Sequence, residues 1–291
     1  MRIIFSRKGF DAANGGVASP IFPDGSFCSL PIPSEEGGRL LGGLRFGNYE
    51  LSQLVWQLSP SSNLAESLVH LDPDLNEGTC PRAAAWRPCF GQAGAAQTHL
   101  RNQGVGEGDI FLFFGWFREI KVSERVGYLS EAPDIHALFG WLQIGDIYHP
   151  RPGKNDVPKW ASEHPHVKAA DHYYAKGKNN TLYVASNRLS IPGLDRSIAG
   201  GGIFPNFYDR LQLTKPGETR SFWRLPRCFY PSEGRLALSY HNNKNRWELD
   251  PDGVVLRTVG RGQEFVLDLD HCPEVFAWLR DVFEIAPESC C

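Results

Sequence analysis

The sequence predicts an α+β protein built on a strongly curved mixed or antiparallel sheet, and three observations carry that expectation. Of its 291 residues 42% are hydrophobic and 12% aromatic, enough for a large core. The 30 glycines and 21 prolines are spread along the chain as turn punctuation, with no internal repeat or low-complexity tract, which is how many short connections between strands are written. Apolar runs of strand length recur throughout, whereas only three segments have helical spacing.

Strands are expected at 2–6, 109–117, 136–147, 181–185, 235–239 and 263–268, each short and bounded by Gly, Pro, Asn or Asp. Helices are expected at about 50–58, where Leu51, Leu54, Val55 and Leu58 share a face, and at about 92–102, closed by Gly104. A third, over 273–283, aligns Val275, Phe276, Leu279, Val282 and Phe283 in one packing stripe behind Pro273. Residues 149–179 combine Pro150, Pro152, Gly153, Pro158 and Pro165 with six Lys or Arg and few aliphatics, and read as a long surface excursion. The whole, 1–291, is expected as a single compact domain.

No apolar run stands behind a basic N-terminus, and no uncharged stretch approaches the roughly 20 residues that cross a bilayer, so a cytoplasmic protein without membrane association is expected. Seven cysteines, scattered and never in a Cys-x-x-Cys pair, argue against a disulfide framework and a zinc ribbon. The net charge of −3 is unevenly divided: residues 1–150 carry 11 Lys and Arg against 16 Asp and Glu, 151–261 carry 18 against 10, and 262–291 carry 1 against 7. A basic, aromatic-rich middle region at 151–261 can hold a polyanion, or can simply be a solvated face.

The N-terminus is the most specific stretch. Ser6-Arg7-Lys8-Gly9-Phe10-Asp11 follows an apolar strand, and Gly15-Gly16, Ser19-Pro20 and Pro23-Asp24-Gly25 come after it. Arg7 and Lys8 could clamp a phosphate beside the Gly15-Gly16 backbone, with Asp11 as a base or ribose contact; otherwise both cations are solvated and Asp11 caps a turn. This segment resembles the start of the nucleotide modification associated domain 3 family. The resemblance continues through Phe90-Gly91-Gln92, Ala96-Gln97-Thr98-His99-Leu100 and Gly108-Asp109-Ile110-Phe111-Leu112-Phe113-Phe114-Gly115-Trp116-Phe117-Arg118, so it covers most of the chain. It implies a role beside DNA modification systems and names no reaction. A weaker resemblance, resting on the hydrophobic pattern of about 95–185 and Gly108-Asp109, is to the PUA-like superfamily of EVE, YTH and ASCH domains, and implies a small β-barrel that binds RNA or a modified base.

His70, Asp72 and Asp74 alternate on one side of an extended segment, a geometry for a divalent metal or a coupled acid and base, although Asp-Pro-Asp is also ordinary turn chemistry. Gln97 and His99 on the second helix could read a base edge or be satisfied core residues. On the expected strand around 114, Phe114, Trp116 and Arg118 share a face, and with Trp141 and Gln143 they form the candidate base-holding set unless all are core. The two histidines of His164-Pro165-His166 could bind a metal, but with no carboxylate or thiol partner identified the stretch reads as a turn. Arg220, Arg224 and Arg227, interleaved with aromatics over 204–230, are candidate nucleic-acid contacts or the wet face of a sheet.

The expected function is a nucleotide- or base-directed enzyme of a DNA modification system, with Lys8, Asp11, His70 and Asp72 at the chemistry and Arg7, Gly15, Gly16, Gln97, His99 and the aromatic set at the ligand. The alternative is a non-catalytic reader of a modified base or nucleic acid. The partner is a nucleotide or nucleic acid, DNA favoured; the cofactor stays open, a divalent metal on His70, Asp72 and Asp74 being one candidate; the oligomeric state stays open too.

Overall fold

Two long, doubly buried strands organise the chain. The structure, a computed structural model, describes residues 1–60, 63–154, 156–232, 237–260 and 264–287. In chain order the main elements are β1 (Arg2–Arg7), β2 (Ser19–Ile21), α1 (Leu51–Leu58), β3 (Cys89–Gln92), α2 (Gly94–Asn102), β4 (Ile110–Val122), β5 (Val126–Tyr128), β6 (Ile135–Tyr148), α3 (Pro165–Lys168), α4 (Ala170–Ala175), β7 (Thr181–Ala185), β8 (Gly201–Ile203), β9 (Phe222–Leu225), β10 (Trp247–Asp250), β11 (Gly253–Arg257), β12 (Glu264–Asp268) and α5 (Val275–Phe283). The main sheet has nine strands in the order β12-β1-β4-β6-β7-β3, with β8 paired to β6 and both β2 and β5 to β4. It is mixed: β1 and β2 run parallel to β4, and the other pairs are antiparallel.

The apolar run Ile110-Phe111-Leu112-Phe113-Phe114 makes β4 a central strand, because every one of these side chains is buried and a strand can bury all of them only with both faces covered. One face carries Phe111 and Phe113, and Phe90 of β3 packs on them with ring centroids 5.0 and 5.2 Å away. Since β6 and β7 lie between β4 and β3 in the sheet, that contact requires the sheet to curl around its own core. Register shifts in β6 at Leu138/Gly140 and Ile144/Asp146 supply bends. The curl brings the two sheet edges within side-chain reach, where Gln92 Nε2 of β3 donates to Glu264 Oε1 of β12 at 2.6 Å.

Backbone pairing never closes that seam. Helix α2 lies at it instead: Gln97 Oε1 accepts from the Tyr183 hydroxyl of β7 at 2.9 Å, and His99 Nε2 meets Ser239 Oγ at 3.0 Å, Ser239 being bonded to Val266 of β12. The described residues therefore form an open curled sheet and no closed barrel, which corrects the PUA-like expectation. The reason is that the strands of 95–185 belong to a larger sheet whose outer strands, β12 and β1 on one side and β3 on the other, come from outside that segment. The opposite face of β4 and β1 is covered by the three-stranded sheet β9-β11-β10 and by α5, through Trp223 against Phe114 (4.8 Å) and Phe5 (5.7 Å), and Trp278 against Phe5 (5.8 Å). A second apolar cluster, around Phe10, Leu30, Leu41, Val69 and the buried stripe of α1, supports the 10–75 segment.

The expected strands at 2–6, 109–117, 136–147 and 181–185 are present, with β4 running five residues further and β6 one residue further at each end, and β12 stands within 263–268. The 235–239 strand falls partly outside the described residues, and 237–239 is not strand. The three expected helices correspond to α1, α2 and α5, whereas the excursion at 149–179 folds back as α3 and α4. Cys28, Cys80 and Cys89 are free thiols, and Cys290 and Cys291 lie outside the described residues. Among the described residues no helix is long and apolar enough to cross a membrane.

Acid sensitivity follows from two buried rings. Burial and then the neighbouring Arg220 and Arg7 push the His136 imidazole from 6.5 down to about 3, and burial likewise lowers His241 to about 4. The unfolded chain takes these protons below about 6.5 while the folded one refuses them, so stability is full above that pH and falls as pH drops toward 3. Urea unfolding between pH 7 and 5 should show the loss, and His136→Gln, which keeps an acceptor for Trp223 Nε1, should flatten it by up to about 1.4 kcal/mol per pH unit. An unchanged slope would place the protonation elsewhere.

Candidate metal centre

The site forms where the excursion 149–179 meets the sheet edge β3. Residues 70–74 run alongside that edge, tied by Asp74 N–H to Cys89 O and Cys89 N–H to Asp74 O, both 2.9 Å, and by His70 N–H to Ile32 O at 2.8 Å. Extended geometry then points His70 and Asp72 to the same side. Over them fold α3 and α4. Pro165 opens α3, and His164 at its N-cap accepts the His166 backbone N–H on Nδ1 at 3.3 Å. His166 is thereby delivered to the two residues that the 70–74 segment presents.

One carboxylate gathers three histidines. Asp72 Oδ2 lies 3.2 Å from His70 Nε2 and 3.6 Å from His166 Nε2, while Oδ1 accepts the Gly91 backbone N–H at 2.9 Å and lies 3.4 Å from His164 Nε2. One ligand atom each from His70, Asp72 and His166 falls within a 4.8 Å span, and all three residues are buried. Burial pushes the Asp72 carboxyl up, but hydrogen bonds and charge from His164 and His70 overrule it, so the group stays well below the usual carboxylate range and ionised.

The outer hydrogen bonds decide which nitrogens face the carboxylate. Asn180 spends its amide nitrogen on Pro150 O and His166 O, so its oxygen, 2.6 Å from His166 Nδ1, accepts that ring's proton. Burial drives His166 down to about 3, so the ring is neutral and Nε2 turns a bare lone pair toward Asp72. The Tyr173 hydroxyl donates to Glu36 O at 3.2 Å and lies 3.1 Å from His70 Nδ1, a partner that can take the Nδ1 proton when Nε2 binds a cation. With a cation at this point the two Nε2 atoms and the carboxylate oxygen would face it together, and the Nδ1 partners would hold both rings in the ligating tautomer. Two histidines and one carboxylate with outer partners fixing each ring are a donor set for a first-row divalent transition ion.

A cavity of about 480 Å³ opens beside the cluster, lined by Arg7, Lys8, Asp11, Asn14, Ser34, Gln92, Tyr173 and Lys176 together with His70, Asp72 and His166. Lys8 is held there by Glu264 Oε1 at 3.1 Å and by the Phe90 ring, 4.5 Å from its ammonium. Asp11 lines the rim while its Oδ1 accepts the backbone N–H groups of Ala13 and Asn14 at 2.8 and 2.7 Å, a turn-capping role. Gly15 serves that turn as well: its φ is +93° and an added Cβ would lie 2.3 Å from the Phe10 ring, while Gly16, with φ +69°, continues it. Neither glycine lines the cavity.

The other sequence candidates lie elsewhere. Asp74 is not in the cluster: Arg82 grips both its oxygens and Trp86 Nε1 donates to it at 3.3 Å, so the ligand set is completed by His166 instead. Phe114 and Trp141 are buried core rings, because the sheet β9-β11-β10 and α5 cover the faces that alternation alone left open. Gln143 clamps two loops through Gly108 O and both backbone groups of Ser190, and Gln97 and His99 belong to the α2 seam. Trp116 is half-buried with its Nε1 on Asp134 and the Arg220 guanidinium stacked 4.0 Å from its centroid, and Arg118 bonds Leu129 O and Ser130 O. Arg224 pairs with Asp252, and Arg227 bonds Asp250 O, on a different face.

The profile of the nucleotide modification associated domain 3 family matches residues 2–268, most of the chain. The protein belongs to that family. No curated protein and no solved structure matches the chain. A role in a nucleotide modification system follows from the family, and the Asp72 cluster gives this member of the nucleotide modification associated domain 3 family a candidate centre for it.

Sequence reading placed His70 and Asp72 together, assigned His166 to a turn, and passed over Tyr173 and Asn180. The one available signal was histidine on both sides of Pro165, a helix-start residue, in a segment otherwise read as a turn. Gly91 offers a test of the packing: a Cβ there would lie 2.3 Å from the buried His166 ring, which must shift to admit it. Gly91→Ala should therefore lower metal affinity by about 10- to 100-fold in calorimetry, with an overpacking cost of about 1–3 kcal/mol in urea unfolding. The neighbouring carboxylate should behave oppositely. Arg82→Ala strands the buried Asp74 and should cost about 3–5 kcal/mol of stability while leaving metal affinity unchanged; a metal defect in that variant would tie the pair to the centre.

Proposed function

We propose that the protein is a metal-dependent enzyme acting on a nucleotide within a nucleotide modification system. His70, Asp72 and His166 hold a first-row divalent transition ion such as Fe(II), Mn(II) or Zn(II). The observation that carries this reading is the convergence of two imidazole Nε2 atoms and one ionised carboxylate oxygen within 4.8 Å, each ring fixed from behind by Asn180 or Tyr173. A three-ligand set leaves coordination positions for substrate or water, which is what separates a catalytic ion from a structural one. Lys8 and Asp11 stand in the same cavity as groups that contact the substrate. The rival reading, a reader that only captures a base, needs no such centre.

A polymer carrier for the nucleotide, with DNA favoured, is supported by the basic middle region. Arg151, Lys154, Lys159 and Lys168 line a second cleft of about 480 Å³ formed by the excursion that carries α3. Such a cleft can follow a phosphate backbone.

Titration of metal-free protein with Mn(II), Zn(II) or anaerobic Fe(II) should give one tight site. Asp72→Asn and His166→Ala, each checked for a native circular dichroism spectrum, should weaken it at least about a hundredfold, more than losing a hydrogen-bond partner behind a ligand does. Folded variants that bind metal as the parent does would remove the centre. Turnover of a nucleotide or oligonucleotide that depends on the added metal completes the case for an enzyme, and tight binding without turnover would return it to a reader.

A further inference from the structure

We infer that the cavity beside the metal centre takes the phosphorylated sugar end of its nucleotide, with Lys8 as the phosphate contact, and leaves the base unstacked; this rests on the metal-centre reading above. Tyr173 is the only phenyl, phenol or indole ring among the described lining residues. Its ring stacks on His166 at a centroid distance of 4.0 Å and an interplanar angle of 15°, and the Lys176 ammonium stands 5.0 Å from its centroid. The ring surface a base would need is already used inside the protein. The aromatic residues expected to sandwich a base, Phe114 and Trp141, are in the core, and the Trp116 face is covered by Arg220.

The lining is instead that of a site for anions and hydroxyl groups. Arg7, Lys8 and Lys176 supply cations, and Asn14, Ser34 and Gln92 supply neutral donors and acceptors. Lys8 is the fixed cation: its side chain is 11% exposed, its ammonium is anchored on Glu264 Oε1, and Gln92 donates to that same oxygen. A lysine ordered in this way meets a phosphate oxygen without a further loss of side-chain freedom.

The charges also make phosphate and metal binding depend on each other. Among the described lining residues three cations, Arg7, Lys8 and Lys176, against Asp11 and Asp72 leave +1, and Glu264 behind Lys8 reduces this to zero. A divalent ion on Asp72 raises it to +2. Phosphate therefore finds an attractive field mainly in the metal-loaded protein, and by linkage it raises metal affinity by the same factor.

Calorimetry on the full-length, Zn(II)- or Mn(II)-loaded protein tests this with three probes: a nucleoside 5′-monophosphate, the corresponding nucleoside, and inorganic phosphate. The monophosphate should bind at least about tenfold tighter than the nucleoside, inorganic phosphate should compete with it, and the preference should shrink in metal-free protein. Lys8→Met should abolish the preference while metal titrated without phosphate binds as in the parent, and Lys8→Arg should restore part of it. Equal affinity for nucleoside and monophosphate, or a preference that survives Lys8→Met, overturns the inference. A protein that takes up metal yet shows no phosphate preference sinks this inference alone, and one that takes up no metal sinks both.

Discussion

The hydrogen bond between Gln92 and Glu264 marks the constraint on which the rest of the structure depends, the curl that brings the two edges of one sheet together. Open sheets twist, but an all-apolar central strand such as the start of β4 demands cover on both faces, and here one cover is the sheet's own far edge. Phe90 from β3 and the rings of Phe111 and Phe113 from β4 fill the inside, and Trp223 and Trp278 close the outside. Because the seam is bridged by side chains and α2 and not by backbone pairing, polar groups accumulate at its end. Glu264 is buried there with Oε1 shared by Lys8 and Gln92, so the seam is also where charge enters the cavity.

The candidate metal ligands exploit the same edge. A strand edge has unpaired backbone groups, and the 70–74 segment satisfies those of Cys89 and then presents His70 and Asp72 beside Gly91, whose missing side chain makes room for His166. Asp72 and Asp74 lie two residues apart and have opposite fates. Asp74 is neutralised by Arg82 in a buried pair and belongs to the scaffold, whereas Asp72 has only imidazoles and one N–H around it. A buried carboxylate with a paired cation is structural chemistry, and one ringed by imidazoles is a candidate metal ligand.

The cavity that results is polar, basic on its protein side and poor in open aromatic surface. That character shifts the expected recognition from base stacking to contacts with phosphate and hydroxyl groups. It also explains why so many aromatic residues in the chain carry no ligand: they are consumed by a sheet that must be packed on both faces and at its seam.

The sequence by itself determined the α+β class, most of the long strands and three of the helices, because apolar spacing of two or 3.6 residues is a local property. It also determined that Lys8, Asp11, His70 and Asp72 would be candidates, and the structure places all four at one cavity. Only the tertiary structure decided which face of β4 was wet, since the cover over Phe114 comes from Trp223, more than a hundred residues later. Only the tertiary structure replaced Asp74 by His166 as the third ligand and left the curled sheet unclosed at Gln92 and Glu264. Those choices depend on which distant segments meet, and a local pattern of residue types holds no record of that.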